Sequence, residues 1–204
     1  NAIVSLANDD TLLGQAEDAD RALSKGEYWG WMHGMPHAVK DLADVRGFIS
    51  SSGSPLFAKT VASKDSLPIE RIRNAGAIFI GKTNTPEFGL GSQTYNTVFG
   101  TTRNAYNPEL CAGGSSGGAA VGLAAQLLPV ADGSDMMGSL RNPAAFNNVI
   151  GFRRTKGRVP GADEDAKLFF NQLATDGPMG RNVTDTIQLL TSMAGYDARE
   201  PLSL

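Results

Sequence analysis

Ala112-Gly113-Gly114-Ser115-Ser116-Gly117-Gly118 opens the stretch that decides the fold, which continues through small apolar residues to Leu128 and ends in a second serine turn, Asp135-Met136-Met137-Gly138-Ser139. Glycines on both sides of a serine pair mark a tight turn of the backbone. Ala119 to Leu128 then reads as a buried helix whose N-terminus sits at Ser115-Ser116-Gly117. Leu128-Pro129-Val130-Ala131 leads as a strand into the second serine turn. A turn, a helix and a strand in this order form an α/β unit, and helix and strand alternate elsewhere in the chain.

Upstream, Ala77-Ile78-Phe79-Ile80 is apolar throughout, as expected of a strand with helices over both faces of its sheet. The helix before it runs through Ile69-Glu70-Arg71-Ile72-Arg73, capped by Asp65 or Ser66, with Pro68 in its first turn and Gly76 ending it. Trp29 to Pro36 is turn-rich, and His37-Ala38-Val39 is a short strand that delivers Lys40. Asp9 to Lys25 carries Leu12, Leu13, Ala16, Ala19 and Leu23 at helical spacing. Thr83 to Pro108 is a polar, irregular loop region, and Thr184 to Ala194 is a last helix with Ile187, Leu190 and Met193 along one side. The expected fold class is α/β: one domain over residues 1–204, with a mixed, largely parallel sheet covered by helices on both faces.

The 204 residues are 41% hydrophobic and 19% charged, which suits a globule with a real core. A net charge of −3, with no Lys/Arg cluster interleaved with aromatics, argues against a nucleic-acid partner. No run approaches the length of a membrane span. The single Cys111 rules out an intrachain disulfide and is compatible with a reducing, cytoplasmic setting. His33, His37 and Cys111 form no ligand set at metal spacing, so neither a metal nor an organic cofactor is expected. The chain starts at Asn1 and stops just after a helix, which reads as a domain lacking its C-terminal part.

Ser115, Ser139 and Lys40 offer acyl-transfer chemistry without a histidine. A serine hydroxyl is a poor nucleophile until a base removes its proton, and a lysine can be that base only when neutral. Burial or neighbouring cations must therefore lower its pKa from about 10.4. Each residue also has an ordinary explanation: serines sit in turns, helix N-termini hold anions, and lysines coat surfaces. Gly76-Ala77-Ile78-Phe79-Ile80-Gly81-Lys82-Thr83 fits the phosphate-loop pattern letter by letter. A helix precedes its first glycine and four bulky apolar residues fill the supposed loop, so the match is accidental. A G-x-S-x-G nucleophile elbow is absent.

Taken in order, Asn1-Ala2-Ile3, Gly34-Met35-Pro36 with Val39-Lys40-Asp41, Gly53-Ser54-Pro55 and Gly81-Lys82-Thr83-Asn84-Thr85-Pro86-Glu87-Phe88 carry a wider pattern. It continues in Gly113 to Gly118, Asp135 with Gly138-Ser139, Arg141-Asn142-Pro143, and Gly157-Arg158-Val159. On these blocks and their spacing the chain resembles the amidase signature family, whose members hydrolyse or transfer carboxamide groups through a Ser–cis-Ser–Lys triad. The resemblance implies Ser139 as nucleophile, Lys40 as base, and Ser115 as the relay after a cis bond from Gly114. It also implies an oxyanion hole from the backbone N–H groups of Met136, Met137, Gly138 and Ser139, with Gly114, Ser116, Asp135 and Arg141 binding substrate or supporting the turns.

The implied substrate is a small-molecule amide. The alternatives are a non-catalytic module that binds an anion or a partner, and an amidotransferase subunit. Glycine is commoner in the family where Met136 and Met137 stand, so a bulkier turn and narrower acyl pocket are expected. Those methionines with Phe88, Tyr95 and Phe99 fit either an apolar acyl group or ordinary core packing. Arg154 stands where proline often follows the equivalent of Arg153. Because family members continue well past this length, a complementing C-terminal segment or a homo-oligomer is a further expectation.

Overall fold

In the computed structural model, which describes residues 1–161 and 173–204, neighbouring residues on two strands divide the core in two. The elements are β1 (Ile3–Val4), α1 (Asp9–Ser24), β2 (Pro36–Lys40), α2 (Leu67–Asn74), β3 (Ile78–Thr83), β4 (Tyr95–Asn96) and β5 (Gly100–Thr101). They continue with α3 (Gly117–Ala124), β6 (Val130–Asp135), α4 (Arg141–Phe146), β7 (Ile150–Gly151), β8 (Thr175–Gly180) and α5 (Val183–Met193). Successive side chains on a strand point to opposite faces. Val39 of β2 and Val130 of β6 accordingly pack against Ile69 and Ile72 of α2 and Leu189 and Met193 of α5. Ala38 and Ala131, one residue along, pack instead against Ala119, Ala120 and Leu123 of α3, with Ala144 of α4. Helices flank both sides, as the sequence predicts.

Strand direction departs from expectation. The sheets are mostly antiparallel, and β2–β3 is the one parallel pair among the described strands. β1 runs antiparallel along β3, β4 and β5 form a hairpin, and β8 lies between β6 and β7, antiparallel to both. An apolar run such as 77–80 reports burial on two faces, whereas direction is fixed by the connection, which sequence pattern does not show. β2 and β3, joined by a helical crossover through α2, pair directly in parallel; β6 and β7, joined through α4, also run parallel to each other, but with β8 between them.

β2 and β6 share no ladder. The Asp132 carboxylate joins them instead: its Oδ2 accepts from the Lys40 backbone N–H (3.2 Å), and Oδ1 lies 3.0 Å from His37 Nε2. All three residues are buried.

Element bounds also shift for local reasons. α3 stops at Ala124, four residues short of expectation, and Gln126 turns the chain at φ +59°. β6 runs on to Asp135, which carries the strand to the second serine turn itself. Asn8 caps α1 by accepting from the N–H groups of Asp10 and Thr11, while Leu13 and Leu23 of the expected apolar stripe lie exposed and Ala19 and Ala22 are buried. Ser66 stands at the N-cap of α2, but its hydroxyl accepts from Asp44 N–H (2.8 Å) rather than from the helix. On α5 the buried residues are Thr186, Leu189 and Met193, and Ile187 faces outward. No helix among the described residues is long and apolar enough to cross a membrane.

α3 can lie against the end of β3 only because it lacks side chains there. A Cβ at Gly118 would stand 2.3 Å from the Asn84 nitrogen and 2.6 Å from the Ala2 carbonyl oxygen, both backbone, whereas one at Gly14 in α1 meets nothing within 4 Å. Gly118→Ala is therefore expected to destabilise the chain by about 1–3 kcal/mol. Gly14→Ala is expected to stabilise it by roughly 0.5–1 kcal/mol through helix propensity. Urea-unfolding midpoints that move in the same direction for both variants would contradict this packing.

Candidate active site

Lys40 ends β2 with its side chain turned inward and only 1% exposed. Its Nζ lies 2.8 Å from Ser115 Oγ, 2.8 Å from Ser116 Oγ and 3.0 Å from Ser134 Oγ. Desolvation pushes its pKa down to about 7, against the opposing pull of Asp176, Asp132 and Asp135. A neutral amine has two N–H donors and one lone pair, so among three hydroxyl neighbours one donates its proton to the nitrogen. Lys40 is thus placed as an acceptor of serine protons near neutral pH.

Ser115 sits in the turn ahead of α3, and the Gly114–Ser115 peptide bond is cis. Thr94 clamps this turn from outside: its hydroxyl donates to the Gly113 carbonyl (2.8 Å) and accepts from Gly117 N–H (3.1 Å). The Ser116 N–H donates to the Ser139 carbonyl (3.1 Å), which ties the two serine turns together. Ser115, Ser134 and Ser139 line one cavity of about 550 Å³, along with Phe88, Met136 and Asp176. Lys40 and Ser115 are in direct contact, whereas Ser139 faces the same cavity with its hydroxyl free of hydrogen bonds among the described residues.

Asp135 organises the turn that presents Ser139. Its carboxylate accepts from Gly138 N–H (2.8 Å), Leu140 N–H (3.1 Å), Arg141 Nε (3.0 Å) and Arg153 Nη1 (2.8 Å). Arg153 also donates to the Asp135 carbonyl. Desolvation alone would raise this carboxyl, but the hydrogen bonds from Arg141, Gly138, Leu140 and Arg153 hold it well below the usual carboxylate range. With Gly138 N–H already engaged, the N–H groups of Met136, Met137 and Ser139 remain unengaged among the described residues. Met136 borders the cavity, while Met137 is 82% exposed and lies off it, so one of the two methionines narrows the pocket. Phe88 lines the cavity; Tyr95 and Phe99 do not.

Sequence reading missed Thr94, Ser134, Arg153 and Asp176. One signal for Ser134 was present: Asp132 and Ser134 are two residues apart on a strand and so share a face. Thr94 had none, since it is a common loop residue brought in from far away. The phosphate-loop pattern lies in α2's exit and β3, where Lys82 is buried, donates to the Ala43 carbonyl (2.6 Å) and stands 3.5 Å from Asp41. His37 serves the Asp132 bridge, and His33 Nε2 lies 2.9 Å from the Ala19 carbonyl. Among the described residues no group of three or more His, Cys, Asp and Glu could hold a metal ion.

A buried lysine among serine hydroxyls on a helix-flanked sheet defines a serine–lysine acyl-transfer class of site. Comparison with known proteins narrows this: the Amidase family model matches residues 1–204, and the chain belongs to that family. A glutamyl-tRNA(Gln) amidotransferase subunit of Burkholderia thailandensis is 42% identical over 192 residues, 94% of this chain and 38% of the relative. The crystal structure of a bacterial aryl acylamidase of the amidase signature enzymes superposes with a TM-score of 0.93 at 35% identity, covering 99% of this chain and 42% of the other. The peptide amidase of Stenotrophomonas maltophilia gives 0.86 at 33% identity, again covering 99% and 42%. The chain thus spans about two fifths of the length of the proteins it matches.

Asp135 has a depressed carboxyl in the folded state, so its contribution to stability is present above its unfolded pKa of about 3.9 and is lost as the pH falls through the folded value. Asp135→Asn, which leaves two arginines without their acid, is expected to cost about 3 kcal/mol at pH 7. The gap between the parent chain and the variant should narrow as the pH falls below about 4. Urea titrations at several pH values check this, and a gap independent of pH would contradict it.

Proposed function

We propose that this chain carries the catalytic centre of an amidase that hydrolyses the C–N bond of small carboxamides through an acyl-enzyme on Ser139. Neutral Lys40 takes a proton from Ser115, which takes the proton of Ser139, and Ser139 Oγ attacks the amide carbonyl. The oxyanion is held by the backbone donors of Met136, Met137 and Ser139. The relay returns a proton to the leaving amine, the C–N bond breaks, and water later cleaves the Ser139 ester by the reverse route. One observation carries the proposal: a buried lysine, its pKa lowered to about 7, lies 2.8 Å from a serine hydroxyl on the cavity that Ser139 also lines. A cytoplasmic setting, with which the single Cys111 is compatible, is part of the same proposal.

A second reading, in which the chain releases ammonia from an amide for use by a partner, draws support from the amidotransferase relatives. It uses the same acyl-enzyme step on the same residues. The closer structural likeness to the aryl acylamidase and the peptide amidase favours the hydrolase.

Incubation with a fluorophosphonate, followed by intact-mass analysis and peptide mapping, tests the centre. One adduct on Ser139 is expected, none in Ser139→Ala, and a rate at least about a hundredfold lower in Lys40→Met. Below pH 7 Lys40 is increasingly protonated and cannot act as a base. The labelling rate should therefore rise with pH up to about 7 and level off above it. Unchanged labelling in Ser139→Ala, or no adduct on a folded chain, would overturn the proposal.

A further inference from the structure

We propose that Asp176 is a positioning residue of the reaction, its carboxylate stabilising the ammonium that Lys40 becomes when it takes the serine proton. The inference rests on the Ser–Ser–Lys reading above and adds to it a residue outside the triad and its turns.

Asp176 lies on β8 directly opposite Ser134 of β6 in the antiparallel ladder. Side chains so paired point to the same face, with Cβ atoms about 4.5–5.5 Å apart. Ser134 Oγ is itself 3.0 Å from Lys40 Nζ, so the carboxylate stands beside one of the three hydroxyls around the amine. Asp176 also lines the reaction cavity together with Ser115, Ser134 and Ser139.

Other charged groups near Lys40 are already committed. Just after β2, Asp41 accepts from Ser51 and Gly53 and faces Lys82 of β3, which donates to the Ala43 carbonyl. On β6, Asp132 bridges His37 and the Lys40 backbone, and Asp135 holds Arg141 and Arg153. Beyond β7, Arg154 donates to the carbonyls of Asp176, Thr155 and Val159, and Lys156 donates to that of Ala174. α3 presents no titratable side chain.

Asp176 differs from all of these. Its carboxylate accepts no hydrogen bond and makes no ion pair among the described residues. Burial pushes its carboxyl up, opposed by the charges of Arg154, Lys40 and Lys156. A carboxylate without a donor of its own, beside an amine that is neutral at rest, interacts most strongly when that amine becomes charged. Charge develops on Lys40 during acylation, and a fixed negative group there needs no reorganisation to meet it. In that step the Ser139 O–H bond breaks and an N–H bond forms on Lys40 by way of Ser115. Asp176 exchanges no proton.

The test uses the 204-residue chain with ¹³C-labelled lysine side chains, titrated by NMR, the Lys40 signal being the one absent from Lys40→Met. Asp176→Asn is expected to lower the Lys40 midpoint by about half a unit or more, because an opposite charge favours the protonated form. Asn keeps the volume and replaces a half-buried carboxylate that has no donor among the described residues, so this variant should fold as the parent chain does. Asp176→Glu, which keeps the charge, should hold the midpoint near that of the parent chain. Asp176→Ser should lower it as Asn does, giving a second neutral variant. The pH at which Ser139 labelling levels off should fall with the midpoint. An unmoved midpoint in both neutral variants would overturn the inference, as would labelling reduced equally at every pH. A midpoint that falls in a chain whose Ser139 never labels would leave the Asp176–Lys40 coupling standing and overturn the hydrolase reading instead.

Discussion

One desolvated amine surrounded by three serine hydroxyls is the constraint on which the rest of this structure depends. Keeping Lys40 neutral near pH 7 requires burial, and burial requires that the amine find partners that carry no charge. Hydroxyls meet that need, but they come from separate parts of the chain: Ser115 and Ser116 from the turn before α3, and Ser134 from β6. Strand β2 must therefore lie against β6, and α3 must enter close to both. Asp132 secures the first requirement by joining the two strands where no ladder does. The glycines and alanines of α3 secure the second by letting the helix approach the backbone of its neighbours.

Lys82 makes a useful contrast with Lys40. The two residues lie on adjacent strands, paired with each other's neighbours in the β2–β3 register, and burial lowers the pKa of both. Lys82 has a carboxylate at 3.5 Å and a backbone carbonyl at 2.6 Å, acceptors that favour the ammonium. Lys40 has hydroxyls, which can both accept and donate. Proton traffic is open to the second environment and closed to the first. The same economy governs the carboxylates: Asp41 and Asp135 are each tied to several donors, so their charges brace turns and stay out of the chemistry.

Sequence pattern exposed the parts of this design that are local. Pro68 and Gly76 bracket α2, the apolar run 77–80 lies in β3, and the serine-rich turn opens a helix of small residues, because in each case neighbouring residues determine the conformation. Strand direction was not legible, since it depends on which connections cross over and which return. β8 was hidden for a different reason: Gly177 and Pro178 sit inside it, and such residues ordinarily argue against an interior strand. At the site, the pairing of Lys40 with Ser115 emerged from the family resemblance. Thr94, Ser134 and Arg153 are ordinary residue types whose roles come from contacts across 23, 94 and 18 positions of chain. Such long-range pairings carry no local signature.

The most direct test of the proposed centre is a crystal structure of the chain after reaction with a fluorophosphonate. Continuous density from Ser139 Oγ to phosphorus is expected. The phosphonyl oxygen should lie within hydrogen-bond reach of the unengaged N–H groups at Met136, Met137 or Ser139, with Lys40 Nζ still against Ser115 Oγ. Phosphorus on any other serine, or Lys40 withdrawn from the hydroxyls to pair with a carboxylate, would contradict the central role given to that buried amine.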